Sequence, residues 1–139
     1  MEKTAPINIL LVDDQKSFLA SLADGLKECD GSLCILTAEN GDRALQVLAS
    51  SPVDMVVTDL RMPLVDGFEL LSHMKEKHPR IPAIVMSSFL DAWTEARLTA
   101  LGAARFIDKG SLSFKALWDL IVSLIRCRGV CRDGENPLP

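Results

Sequence analysis

Short apolar runs alternate along this chain with longer segments in which apolar residues recur every three or four positions. The runs are typical of buried parallel strands, and they predict five strands, at residues 7–12, 33–37, 53–59, 82–86 and 105–107. The periodic segments predict helices over residues 15–28, from Asn40, over 68–77, from Asp91 to Gly102, and from Ser113 onward. We expect Asn40, Asp91 and Ser113 to cap the helices that they begin. Because a helix follows each strand, we predict an α/β fold with a doubly wound, five-stranded parallel sheet and helices on both faces.

Two of the predicted helices carry aromatic residues whose environment affects the interpretation. Trp93 lies one position away from the apolar face of the fourth helix, so we expect it to be exposed and to mark a partner surface. The last helix shows a regular apolar stripe, formed by Phe114, Leu117, Trp118, Ile121, Leu124 and Ile125.

The third predicted strand ends at a carboxylate. Its apolar, β-branched run over residues 53–58 stops at Asp59, and Pro63 and Gly67 then favour a loop. Ligands of open α/β sheets bind beyond the carboxyl ends of the strands. The sequence therefore indicates Asp59 as the candidate reactive residue.

The other strands also end at polar residues. Asp13 and Asp14 follow the first strand, Ser87 follows the fourth, and Lys109 follows the fifth. Since the carboxyl ends of parallel strands meet at one edge, we expect these side chains to cluster with Asp59. Three clustered carboxylates repel one another unless a cation lies among them, and oxygen ligands favour Mg²⁺.

This set of groups suits phosphoryl transfer to a carboxylate. An aspartate can act as the nucleophile towards phosphorus, and the reaction mainly needs neutralisation of the charge on the phosphoryl oxygens. Mg²⁺, the Lys109 ammonium and the Ser87 hydroxyl would each meet one oxygen. Nucleotide or flavin binding is disfavoured, because the first loop is anionic where such sites place glycines or hydroxyls.

Length, charge and cysteine spacing narrow the classes of protein to which this chain can belong. The chain has 139 residues, enough for one domain with a core, and its net charge of −4 does not favour direct nucleic-acid binding. No apolar run reaches membrane-spanning length, and the N-terminus lacks the core of a signal peptide, so we expect a cytoplasmic protein. The spacing of the four cysteines does not fit a zinc site, and we expect reduced thiols.

Taken together, these motifs resemble the receiver domain of two-component response regulators. The match rests on the acidic pair, Asp59-Leu60-Arg61-Met62-Pro63 with Asp66-Gly67, Ser87-Ser88, and Phe106-Ile107-Asp108-Lys109. It covers roughly residues 5–127. The resemblance implies the flavodoxin-like strand order 2-1-3-4-5.

The resemblance also implies a role for each site residue. Asp59 would be the phosphoacceptor, Lys109 would pair with the phosphoryl oxygens, Ser87 would be the switch hydroxyl and Phe106 the switch aromatic; Ser88 is an alternative hydroxyl. The ligands of Mg²⁺ would be Asp14, Asp59 and the backbone carbonyl of Arg61 directly, with Asp13 acting through water.

By the same resemblance, a histidine kinase or phosphotransfer protein would phosphorylate Asp59. Phosphorylation would alter the face formed by the fourth helix, fifth strand and fifth helix, which would bind a downstream protein, an effector domain or a second copy of the chain. No turnover is expected beyond self-phosphorylation and autodephosphorylation. Residues 1–127 would form the domain, and 128–139 a flexible tail or the start of a linker.

The chain departs from the family pattern at two positions. Gly110 follows the lysine where proline is usual, so the loop should be more mobile, and Phe106 replaces the commoner tyrosine. Three alternatives stay open: a pseudo-receiver that is never phosphorylated, a phosphatase of the haloacid-dehalogenase type, and the disfavoured nucleotide or flavin binder. The phosphatase usually has an Asp-x-Asp pair after the first strand, and this chain has adjacent aspartates.

Overall fold

The computed structural model describes the backbone of residues 7–132 and the side chains of residues 7–125. Within that range the strands are β1 (Asn8–Val12), β2 (Cys34–Ala38), β3 (Met55–Asp59), β4 (Ala83–Ser87) and β5 (Arg105–Asp108). The helices are α1 (Lys16–Cys29), α2 (Gly41–Ser50), α3 (Gly67–Lys77), α4 (Ala92–Ala100) and α5 (Phe114–Arg132), and a short 3₁₀ turn spans Lys109–Ser111. Each predicted element is present, with ends displaced by a few residues.

The strands form one parallel sheet in the order β2-β1-β3-β4-β5, as predicted. The carboxyl ends of β3, β4 and β5 lie close together, because Asp59 pairs with Met86, one residue before the end of β4, and Ser87 pairs with Asp108. Ser87 and Asp108 therefore belong to the strands themselves, one residue beyond the predicted ends. The register brings the polar residues to a common edge of the sheet.

Apolar side chains pack on both faces of the sheet. Alternate residues of β1 and β3 point to opposite faces, so that Leu10 and Val56 join one core cluster and Ile9 and Met55 join the other. All five residues of β3 and all five of β4 are buried. The central strands therefore form the most enclosed part of the fold.

The predicted helix caps at Asn40, Asp91 and Ser113 are confirmed, because each side chain accepts a backbone N–H from the first turn of its helix, from Arg43, Thr94 and Ala116. One further cap was missed. Asp66 and Glu69 form a capping box at the start of α3, each side chain accepting the backbone N–H of the other.

A glycine places α3 directly against the end of β3. A Cβ atom on Gly67 would lie 2.8 Å from the Leu60 Cα and 2.9 Å from the Asp59 carbonyl oxygen, too close for any other residue. The Gly67 N–H donates to the Leu60 carbonyl at 2.8 Å. This contact fixes the loop that follows Asp59.

The aromatic residues Trp93 and Phe114 both keep part of their surface exposed. Trp93 is 67% exposed, as expected. Phe114, the first residue of the α5 stripe, is 40% exposed, and its ring lies against Gly25 of α1, whose missing side chain leaves room for it. Leu117 and Ile121 of the same stripe are buried.

The backbone of α5 continues to Arg132, five residues beyond the boundary predicted at Cys127. The division into a domain and a tail stays a prediction, and residues 133–139 lie outside the described range. Cys29 and Cys34 are free thiols, both exposed. Within residues 7–132, no helix combines the length and apolarity needed to cross a bilayer.

Candidate functional site

The carboxyl edge of the sheet contains a polar cleft of about 450 Å³. Six of the residues singled out in the sequence line it, and two others join them; the full set is Asp14, Gln15, Asp59, Arg61, Ser87, Ser88, Phe89 and Lys109. Asp13 lies beneath this surface with none of its own surface exposed. The structure thus brings the predicted carboxylates, hydroxyls and lysine together.

Lys109 crosses from the end of β5 to the acidic group. Its Nζ atom donates to Asp13 Oδ2 at 2.6 Å and lies 3.4 Å from Asp59 Oδ2. The lysine side chain is 13% exposed, so both ion pairs are largely shielded from water. The direct bond to Asp13 was not foreseen, because the sequence does not show which of three carboxylates a lysine on another strand will reach.

Both oxygens of Asp13 have partners. Oδ2 accepts from Lys109, and Oδ1 accepts the backbone N–H of Gln15 at 2.8 Å. Paired hydrogen bonds of this kind compensate for burying a charge. Asp14, by contrast, is exposed to solvent in the cleft.

The reactive candidate, Asp59, is 8% exposed at the end of β3. Its Oδ1 atom accepts the backbone N–H of Leu60 at 2.9 Å, which orients the carboxyl group. Burial, and after it the negative charge of Asp13, raises the pKa of this carboxyl, while Lys109 and the Leu60 N–H oppose the shift. A cation beside Asp59 would lower the free-energy cost of keeping this buried carboxyl group ionised.

The lysine responds to the same surroundings. Burial by itself lowers the pKa of Lys109, but its hydrogen bond to Asp13 and the charges of both aspartates outweigh burial and raise it. The ammonium is therefore a fixed positive charge beside Asp59 at physiological pH.

Ser87 is buried and its hydroxyl is bound within its own loop. The Oγ atom donates to the Phe89 carbonyl at 2.9 Å and accepts the Phe89 N–H at 3.2 Å. Ser88, the alternative hydroxyl, lines the cleft and is exposed. The ring of Phe89 is itself 62% exposed.

The acidic group fits a hard divalent cation. One oxygen from each of Asp13, Asp14 and Asp59 lies within 4.8 Å of the other two. Two oxygens bound to one Mg²⁺ or Ca²⁺ ion lie at most about 4–5 Å apart, so the three could surround a single ion. Both oxygens of Asp13 already accept hydrogen bonds. Asp59 and the exposed Asp14 are therefore better placed to contact the ion directly.

The two other predicted site residues lie at the margins. Arg61 is exposed and lines the cleft. Phe106 lies on β5, is half-buried and packs against the core cluster of Leu10 and Val56. Sequence reasoning missed three residues near the site: Gln15 and Phe89, which line the cleft, and Phe18, whose ring centroid lies 4.5 Å from Lys109 Nζ. Gln15 and Phe89 each directly follow a predicted site residue, and Phe18 lies four positions after Asp14.

Comparison with known proteins identifies the family. The family model described as "Response regulator receiver domain" matches residues 9–121, and the chain belongs to this family. The chain is also 33% identical over 104 residues to the transcriptional regulatory protein GlrR of Escherichia coli, covering 75% of this chain and 23% of that protein.

Other proteins show the same relationship. A protein-glutamate methylesterase/protein-glutamine glutaminase of Halalkalibacterium halodurans is 33% identical over 126 residues, covering 86% of this chain and 36% of that protein. The signal receiver domain of an HD domain-containing protein from Pseudomonas fluorescens superimposes with a TM-score of 0.82 at 26% identity, covering 89% of this chain and 98% of that domain. The chain thus spans 23% and 36% of these two curated relatives, and nearly all of the solved domain.

Proposed function

We propose that this receiver domain accepts a phosphoryl group on Asp59, and that the modification switches a neighbouring surface. The observation that supports this most strongly is the grouping of three carboxylates and Lys109 in one cleft, with Lys109 Nζ 3.4 Å from the Asp59 carboxylate. A degenerate site would be expected to have lost one of these groups.

In the proposed reaction a partner presents a phosphohistidine to the cleft. A carboxylate oxygen of Asp59 forms a bond to phosphorus, the P–N bond breaks, and the imidazole leaves with the electron pair of that bond. The Leu60 N–H holds the other carboxylate oxygen, so that the attacking oxygen is oriented into the cleft. Lys109 stabilises the charge on the transferring group.

Mg²⁺, when bound, would neutralise charge on the phosphoryl oxygens. Asp14, Asp59 and the backbone carbonyl of Arg61 would hold it, and Asp13 would contribute through water. An indirect contact of Asp13 with the ion, through water, agrees with the two hydrogen bonds that Asp13 already makes, to Gln15 and Lys109.

Phosphorylation would then act through charge. The phosphoryl group carries about two negative charges in place of the single charge of the Asp59 carboxylate, and its oxygens attract the Ser87 hydroxyl and the Lys109 ammonium. Ser87 would have to exchange its two bonds with Phe89 for a bond to the phosphoryl group, and this exchange frees the loop that leads into α4. Phe106 would turn inward, and the face formed by α4, β5 and α5 would change its preferred packing.

The partners follow from this scheme. A cytoplasmic histidine kinase or phosphotransfer protein would supply the phosphoryl group, and the altered face would bind a downstream protein, an effector domain or a second copy of the chain. The exposed Trp93 at the start of α4 suits such a contact.

The test is intact-mass spectrometry after incubation with acetyl phosphate, with and without Mg²⁺. We expect one phosphoryl adduct that requires the metal and is lost in Asp59→Asn. Asp24→Asn is the matched control, because Asp24 is an exposed aspartate of α1 outside the cleft.

Two results would contradict the proposal. Absence of an adduct under every condition would favour a pseudo-receiver that acts only as an interaction module. Continuous release of phosphate from a small ester, without a stoichiometric adduct, would favour a phosphatase.

A further inference from the structure

We infer that Phe18 is a positioning residue that holds the Lys109 ammonium in the cleft. This inference rests on the proposed function and deepens it. The ring of Phe18 lies 4.5 Å from Lys109 Nζ, measured to the ring centroid. At that distance the face of an aromatic ring attracts an ammonium group.

Three groups surround Lys109 Nζ. Asp13 and Asp59 provide the negative charges, at 2.6 and 3.4 Å, and the Phe18 ring occupies another side. The lysine side chain is only 13% exposed, so the cation–π contact is partly desolvated. A desolvated cation–π contact is stronger than one at an open surface. The ring also limits the directions in which the flexible lysine can swing.

The lysine needs such support because its own backbone provides little. Gly110 follows it, and glycine restrains the backbone less than any other residue. The local turn is held by the Gly110 N–H, which donates to Asp108 Oδ1 at 2.9 Å at an exposed position. The ammonium is therefore positioned by side chains from other elements, namely Asp13 and the Phe18 ring.

Phe18 is itself well anchored for this task. It is the third residue of α1, is half-buried, and packs against the core cluster that contains Ile9 and Met55. It lies in the first turn of α1, directly after the loop that carries Asp13 and Asp14, so the start of the helix presents it to the site. The ring is thus held by the core while one of its faces meets Lys109.

The test separates this role from simple packing. Phe18→Leu keeps an apolar side chain but removes the ring face, and Phe18→Tyr restores the ring. We expect Phe18→Leu to slow Mg²⁺-dependent adduct formation from acetyl phosphate by about two- to fivefold, and Phe18→Tyr to react at nearly the wild-type rate. Phe68→Leu is the matched control, because Phe68 is also half-buried and lies 4.1 Å from a cation, Arg97, away from the cleft.

A double-mutant cycle on urea unfolding then combines Phe18→Leu with Lys109→Met. If the ring acts through the ammonium, the effects on the unfolding equilibrium will be coupled by about two- to fivefold. Additive effects, a wild-type rate for Phe18→Leu, or a Phe18→Tyr variant as slow as Phe18→Leu would each overturn the inference. If the wild-type chain forms no adduct, the proposed function fails, and the coupling measured in the cycle still decides whether Phe18 holds Lys109.

Discussion

The centre of the sheet and its β5 side are packed very differently. Every residue of β3 and β4 is buried, and β3 delivers Asp59 into the cleft. The four residues of β5 all keep part of their surface exposed, and among the nine residues of α4 it is Thr94 and Leu98 that are buried. The site thus lies where a densely packed region meets a loosely packed one.

This difference has a physical consequence for a switch. Charges that must stay a few ångströms apart need a rigid support, which the central strands provide. Regions with few buried apolar contacts rearrange at lower cost, and here they adjoin Ser87 and Lys109. We expect rearrangement to be confined to the β5 and α4 side, and three predictions test the contrast.

The largest effect on stability is expected when an isoleucine of the central strands is shortened to alanine. The same change on the β5 side should have a smaller effect. Ile84 on β4 has no exposed surface, whereas Ile107 on β5 is half-buried, and both contact the same core cluster. We expect Ile84→Ala to lower the free energy of unfolding by about 2–5 kcal/mol, and Ile107→Ala to lower it by about half as much because less surface is lost. Urea unfolding measures both. Equal losses would show that the two sides are packed alike.

A smaller loss is expected when the site loses its cation. Lys109→Met leaves the carboxylate of Asp13 buried without its ion pair, which should cost about 2–4 kcal/mol. Lys115→Met is the control, since Lys115 pairs with Asp119 at an exposed position and should change stability by less than about 1 kcal/mol. Added Mg²⁺ should restore part of the loss in Lys109→Met. Equal effects of the two substitutions would argue against a shielded site.

The smallest effect has the opposite sign. Because its surroundings raise the pKa of Asp59 above 3.8, ionised Asp59 costs stability, and that cost appears as the pH rises through the folded-state pKa. We expect Asp59→Asn to stabilise the metal-free protein at neutral pH by less than the losses described above, with the gain vanishing as the pH falls towards 3.8. Unfolding in a chelator across this range measures it. A destabilised variant at neutral pH would mean that Lys109 attracts Asp59 more strongly than burial and Asp13 disfavour it.

Much of the fold could be predicted because its signals are local. Apolar runs of strand length and caps such as Asn40 and Asp91 depend on neighbouring residues, and these predictions were confirmed. The face of α5 was less predictable. How closely the Phe114 ring packs against α1 depends on the space left by Gly25 on that helix, and nothing near Phe114 in the sequence records it.

The candidate site was likewise predictable only in part. The residues that end the strands follow from the pattern, and the structure gathers Asp14, Asp59, Ser87 and Lys109 around one cleft as expected. Their partners do not follow from it. The bonds between Ser87 and Phe89 and the contact between Lys109 and Phe18 depend on how loops and helices fold back over the sheet edge.

The sequence by itself determined the alternation of strands and helices, and with it the polar edge that holds Asp59. It could do so because hydrophobic period and turn-forming residues act over a few positions. Only the tertiary structure decided that Lys109 bonds to Asp13 across 96 positions of chain, and that an aromatic ring from α1 lies beside it. Those contacts depend on distances of a few ångströms between separate elements, which the packing of the whole core sets.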